Sequence, residues 1–157
     1  MTTPPPPETG DSSALGDLLA PDAIVLDAVA ESQEAAIRLT GKALVDCGAV
    51  LPGYVEEMLA RERSVSTWVG ENIAFPHATR AGKEFVLRDA IAVVRFSEGV
   101  DWAGNDVRVA VGIAARDGGH IALLSRLATV LLRPEAAAAL KSATEPAQVY
   151  ELLRGED

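Results

Sequence analysis

The apolar positions of this chain change period twice. After Glu31-Ser32, the residues Ala36, Leu39, Ala43 and Cys47 recur at steps of three and four, which is the stripe of a helix. Ser32 is placed to cap its first turn and Gly48 to end it. Pro52, followed by Val55, Met58 and Leu59, predicts a second helix reaching about Arg63. The texture then shifts to short β-branched and aromatic runs at residues 66–69, 73–75, 90–96 and 107–115, with breaks at Gly70, Pro76, Gly99 and Gly104-Asn105. A shorter β-prone stretch, residues 23–26, precedes the first helix. The last two long runs are apolar almost throughout, as strands are when both faces of their sheet are covered. Helical spacing returns with Ile121, Leu124, Ala128 and Leu131, and Pro134 and Pro146 open two further helices through Leu140 and Leu153. Helices on either side of a block of strands predict an α/β fold, a three-layer α/β/α domain around a central mixed sheet.

Composition sharpens that picture. With 157 residues, 48% hydrophobic and 24% charged, the chain suits one ordinary packed domain. Residues 1–13, with four consecutive prolines and then Glu, Thr, Gly, Asp and Ser, bury too little to offset their ordering entropy and read as a flexible tail. The single domain is expected over residues 14–157. A formal charge of −9 argues against a nucleic-acid partner, whose affinity is built on clustered Lys and Arg. The lone Cys47 rules out an internal disulfide and reads as a core thiol among Leu44, Val45 and Val50. The apolar run at residues 109–115 falls far short of the ~20 residues that cross a bilayer, and no basic leader precedes an apolar segment. A cytoplasmic protein with no direct membrane insertion is expected.

The chemistry must come from few groups. His77 and His120 are the only imidazoles, and each falls at a break, one after Pro76 and the other after Gly118-Gly119 just ahead of a helix. Ligand sites in open α/β sheets gather at such strand ends, and the amides opening a helix offer a partial positive charge to an anion. Two histidines without Cys or carboxylates at ligand spacing make a poor metal set. No Gly-x-Ser-x-Gly elbow and no Gly-x-x-x-x-Gly-Lys-Ser/Thr loop occurs, which removes the usual serine-hydrolase and nucleotide-binding signatures. From the residues alone, each histidine stands open as a packed or solvated side chain or as a nucleophile or base. Trp68 and Phe75 read as core, and Arg61, within Arg61-Glu62-Arg63, as a solvated helix end.

The stretch Gly70-Glu71-Asn72-Ile73-Ala74-Phe75-Pro76-His77 resembles the active-histidine signature of the enzyme IIA domains of the mannitol/fructose class in the bacterial phosphoenolpyruvate-dependent sugar phosphotransferase system. Residues 53–62 are similar to the helix preceding that signature, and residues 96–100 and 111–116 to its later strands. His120 stands where mannitol-type members carry a second histidine. The resemblance runs from about Ala23 to Leu153. It implies that His77 accepts a phosphoryl group on Nε2 from the phosphocarrier protein HPr and hands it to a cysteine of an enzyme IIB domain, without metal, nucleotide or other cofactor. It also implies that Arg61 and Glu71 belong to the phosphate-binding set, with Arg61 contacting the oxygens and Glu71 orienting its neighbours, while His120 donates a further hydrogen bond. Arg80, Lys83 and Arg88 follow the active loop and read either as phosphate-attracting or as a solvated face.

No IIB or membrane segment is recognisable, so a free-standing subunit with partners on separate chains is expected. Hexitol uptake, with mannitol favoured by the second histidine, is the first functional reading. The alternative is a nitrogen-related regulatory enzyme IIA that controls partner proteins through its phosphorylation state.

Overall fold

The computed structural model describes residues 14–116 and 120–154, and of His120 the backbone alone. The predicted tail at residues 1–13 and the Gly118-Gly119 pair lie outside the described residues. A short 3-10 helix (Leu15–Leu18) leads into β1 (Leu19–Ala28), then α1 (Gln33–Asp46) and α2 (Gly53–Ser64). Two short strands follow, β2 (Trp68–Gly70) and β3 (Ile73–Ala74), and a second 3-10 helix (Arg80–Phe85). The long hairpin of β4 (Ala90–Trp102) and β5 (Asn105–Ala114) precedes α3 (His120–Leu131), α4 (Pro134–Lys141) and α5 (Pro146–Leu153).

The five strands form one mixed sheet in the order β1-β4-β5-β3-β2. β1 runs parallel to β4 and β3 parallel to β5, while the β4-β5 and β2-β3 pairs are antiparallel. Residues 109–114 of β5 are buried at every position, so both sheet faces are covered. α1 packs on β1, β4 and β5 with α2 beside it; α3, α4 and α5 pack on one another and against β5 and β1. The three-layer α/β/α arrangement expected from the periodicity is the observed one.

Local chemistry explains the boundaries. Ser32 Oγ accepts the Ala35 amide at 3.1 Å, satisfying one of the unpaired donors that open α1. Gly48, at φ 81°, reverses the chain after its last turn. The buried face of α1 includes Thr40, whose hydroxyl is satisfied by the Ala36 carbonyl at 2.8 Å. Two strand boundaries differ from expectation. Gly99 does not end β4; it sits at a register shift between Arg95 and Val100, where a bulge bends the strand while pairing resumes. The turn of the β4-β5 hairpin is Ala103-Gly104 instead of Gly104-Asn105, with both turn residues at positive φ as a type I′ turn requires.

Gly112 sets how closely α1 lies on the sheet. A Cβ built there would stand 2.5 Å from the Thr40 methyl, too near for any side chain at this spacing. Gly112→Ala should therefore destabilise the protein by about 1–3 kcal/mol by prying α1 from β5. Urea unfolding at neutral pH measures this; a variant as stable as the parent would show that the α1 layer yields freely.

Candidate functional site

The site is built at the C-terminal end of β3. β3 lies parallel to β5, with Ile73 opposite Val109 and Ala74 opposite Ala110. The ladder continues past the strand, because the Ile113 amide donates to the Pro76 carbonyl at 3.0 Å. Phe75 is 1% exposed and anchors the segment in the core, which carries the next polar side chain, His77, to 7% exposure. The Nδ1 of His77 lies 2.8 Å from the Phe75 carbonyl oxygen. A carbonyl oxygen can only accept, so Nδ1 carries the hydrogen, and in the neutral ring the lone pair sits on Nε2. This backbone contact two residues away selects the tautomer, an arrangement that periodicity alone could not reveal.

One face of α2 clasps the segment after His77. Tyr54 and Glu57 are three residues apart and Arg61 is seven beyond Tyr54, so all three share a helix face. The Tyr54 hydroxyl donates to the Ile113 carbonyl at 2.6 Å and is also hydrogen-bonded to the backbone of Ala78. A single buried oxygen thereby joins α2, β5 and the residue following His77. Burial pushes the phenol pKa up to about 12, only partly offset by the Ala78 hydrogen bond. One turn on, the Glu57 carboxylate accepts the Thr79 hydroxyl, and the Glu57 carbonyl accepts the Thr79 amide at 3.3 Å.

Arg61 is held by the Val65 carbonyl at 2.6 Å and pairs with no carboxylate among the described residues. Val65 lies two residues before Thr67, whose carbonyl accepts the Phe75 amide. The antiparallel course of this pairing sets Arg61's anchor at the His77 end of β3. Its neighbour Glu62, by sequence one more charge in a solvated helix end, accepts the Thr67 amide at 2.7 Å, the Thr67 hydroxyl at 2.6 Å and the Trp102 indole N–H at 2.8 Å. Glu62 thus fixes the link between α2 and β2. A tryptophan as fully buried as Trp102 needs a partner for its N–H, and Glu62 is that partner.

Other expectations fare differently. Phe75 is core, but Trp68 is 41% exposed on the edge strand β2 and is no core residue, because β2 ends the sheet. Cys47 is a free, half-buried thiol packed against the core. Glu71 occupies the β2-β3 turn with Asn72, at φ 54° and 65°, and is exposed. Five residues, most of them in extended chain, separate it from His77, on the order of 15–20 Å. The structure does not bring Glu71 to the His77 end, so its place in a phosphate-binding set gains nothing from the geometry. Arg80, Lys83 and Arg88 are exposed, the first two on the 3-10 helix and Arg88 donating to the Cys47 carbonyl at 2.8 Å. The backbone of His120 opens α3, a few residues past the end of β5 to which Pro76 is bonded; its side chain lies outside the described part of the structure. Among the described residues no group of three His, Cys, Asp or Glu could hold a metal ion, and no helix is long and apolar enough to cross a membrane.

Comparison with known proteins decides the family. The family described as "Phosphoenolpyruvate-dependent sugar phosphotransferase system, EIIA 2" matches residues 17–155. The chain belongs to it. It is a phosphotransferase of the enzyme IIA type, a phosphoryl relay of the sugar phosphotransferase system working through a histidine. It is 41% identical over 140 residues to the mannitol-specific phosphotransferase enzyme IIA component of Staphylococcus aureus, covering 87% of this chain and 97% of that protein. Its fold matches Escherichia coli enzyme IIAMtl, solved in complex with phosphorylated enzyme IIBMtl, at a TM-score of 0.82 and 35% identity over 88% of this chain and all of that one. It also matches nitrogen regulatory protein IIA-Ntr of Neisseria meningitidis at a TM-score of 0.76 and 26% identity, over 88% and 97% of the two chains.

Tyr54→Phe keeps the ring and deletes the clamp. At neutral pH it should lower stability by about 1–2 kcal/mol. Because the folded protein holds the phenol protonated to about pH 12, against 10.0 for a free phenol, its contribution is intact below pH 10 and fades as pH rises through about 12. Urea unfolding from pH 9 to 12 should show a loss of stability in that window that is smaller in Tyr54→Phe; equal losses in both proteins would mean Tyr54 is not the titrating group.

Proposed function

We propose that this enzyme IIA serves mannitol uptake in the cytoplasm, taking a phosphoryl group from phospho-HPr on Nε2 of His77 and passing it to a cysteine of an enzyme IIB domain. The observation that carries the choice of atom is the 2.8 Å contact between His77 Nδ1 and the Phe75 carbonyl. The Nε2 lone pair forms the new P–N bond as the P–N bond in the donor breaks; in the second step the IIB thiolate forms a P–S bond as the Nε2–P bond breaks and the pair returns to Nε2. With Nδ1–H retained, attack raises positive charge on the ring, and the Phe75 carbonyl stabilises it. Phosphoryl transfer asks the protein mainly to position groups and offset charge on the equatorial oxygens. Arg61 supplies a guanidinium with no carboxylate partner among the described residues, and His120, at the start of α3, a further donor.

Mannitol is supported by 35% identity to the Escherichia coli enzyme IIAMtl structure, against 26% for the nitrogen regulatory protein that shares the fold. Docking partners have an apolar landing place beside Arg61's anchor, where Val65, Trp68 and Val69 are 62%, 41% and 37% exposed.

Incubation with phosphoenolpyruvate, enzyme I and HPr, followed by intact-mass measurement, should give one acid-labile phosphoryl adduct. It should be absent in His77→Ala and slower to form in His120→Ala. Arg61→Ala should slow labelling by roughly 10²-fold or more while leaving unfolding unchanged. Full labelling of His77→Ala would place the acceptor elsewhere. A mannitol IIB domain should discharge the adduct, and failure to do so with labelling intact would reassign the sugar.

A further inference from the structure

A second cationic site lies at the other end of β3. Asn72, Arg95, Phe96, Ser97, Asp106, Arg108 and Lys141 line an open cleft of about 340 Å³, room enough for a small ligand. Three cations face one carboxylate there, in a chain whose formal charge is −9. Asp106 is already engaged by Arg108 Nε at 2.9 Å and by the Asn72 amide at 3.3 Å. Lys141 and Arg95, both half-buried, have only neutral partners among the described residues: Lys141 Nζ donates to Asn72 Oδ1 at 2.7 Å, and Arg95 donates to the carbonyls of Leu26 and Lys141, each at 3.1 Å. Lys141 and the Arg95 contact sit at the C-terminal end of α4, whose partial negative charge offsets part of one cation and not two.

We propose that this cleft binds a phosphate monoester of a small soluble molecule. Half-buried cations are stabilised by an opposite charge, and the cleft lacks one for two of its three. A phosphate monoester carries a charge of about −1.5 to −2 at pH 7, which matches that excess, and its three oxygens suit a set of two guanidinium groups and an ammonium better than a single carboxylate would. The site is separate from the relay histidine. The amides of Arg108 and Val109 bond the Asn72 carbonyl at one end of the β3-β5 ladder, and the Ile113 amide bonds Pro76 at the other.

The test is a titration of inorganic phosphate, then glycerol phosphate, into the full isotope-labelled chain at constant ionic strength, with chloride as the control. It follows the Asn72 side-chain amide and the backbone amides of Ser97, Arg108 and Lys141 beside those of residues 75–79. Saturable shifts at the cleft are expected with both phosphates. Lys141→Gln should weaken them by about tenfold or more, as should Arg108→Gln, while Arg61→Ala leaves the cleft curve unchanged. Shifts confined to residues 75–79, shifts that chloride reproduces, or a cleft curve indifferent to both cleft variants would each overturn the proposal. Binding of inorganic phosphate with rejection of glycerol phosphate would overturn the assignment to a monoester. None of these outcomes depends on which histidine is phosphorylated.

Discussion

An imidazole that gives one nitrogen to a backbone carbonyl can offer its lone pair only from the other, and this constraint governs His77. The 2.8 Å contact from Nδ1 to Phe75 requires the backbone of residues 75–77 to hold one shape. That shape is imposed from three directions. Phe75 is sunk in the core, Pro76 is bonded to β5 through Ile113, and Tyr54 ties both the Ile113 carbonyl and Ala78 to α2. None of these supports is itself reactive. Together they hold a side chain that would otherwise sample both tautomers.

The placement of α2 is therefore as important to the chemistry as the histidine. α2 lies close against α1 because Gly41 has no Cβ; one built there would meet the Val55 side chain at 2.8 Å. α1 in turn rests on the sheet at Gly112. Two glycines on successive interfaces thus set the depth at which Tyr54 and Glu57 reach the His77 loop. At the far end of the helix, adjacent residues are used in opposite ways. Glu62 is saturated by three donors and locks the α2-β2 link, whereas Arg61 keeps one carbonyl partner and most of its donors uncommitted to carboxylates. A half-buried acceptor that fixes the frame leaves the neighbouring guanidinium available to an anion.

Much of this was legible in the sequence where one physical cause dominates. The helices of residues 33–46, 134–141 and 146–153 announce themselves by period, cap and proline, and the two buried strands by continuous apolar runs. The Pro76-His77 break, read with its flanks, identified the family later shown by comparison. What could not be read depended on partners far away in the chain. Glu62 looks like one more charge in a solvated helix end until Trp102, 40 residues on, needs an acceptor. Trp68 looks like core until the sheet order makes β2 an edge. Glu71 lies in the signature, and that it and Asn72 take positive φ to turn the chain from β2 into β3 is not written in its residue type.

The topology explains why the molecule can hold two cationic places without their merging. β3 is only two residues long, but it runs parallel to β5, so its ends face opposite rims of the sheet. The hairpin turn fixes Asn72 at one rim, where Arg95, Arg108 and Lys141 converge; the proline delivers His77 to the other, where α2 contributes Arg61 and α3 begins with His120. An antiparallel pairing of β3 with β5 would have reversed the ends and put the histidine beside Arg108. The sense of one short strand therefore decides that His77 lies at the rim where Tyr54 and Glu57 clasp the residues that follow it, and not beside the Arg108–Asp106 pair.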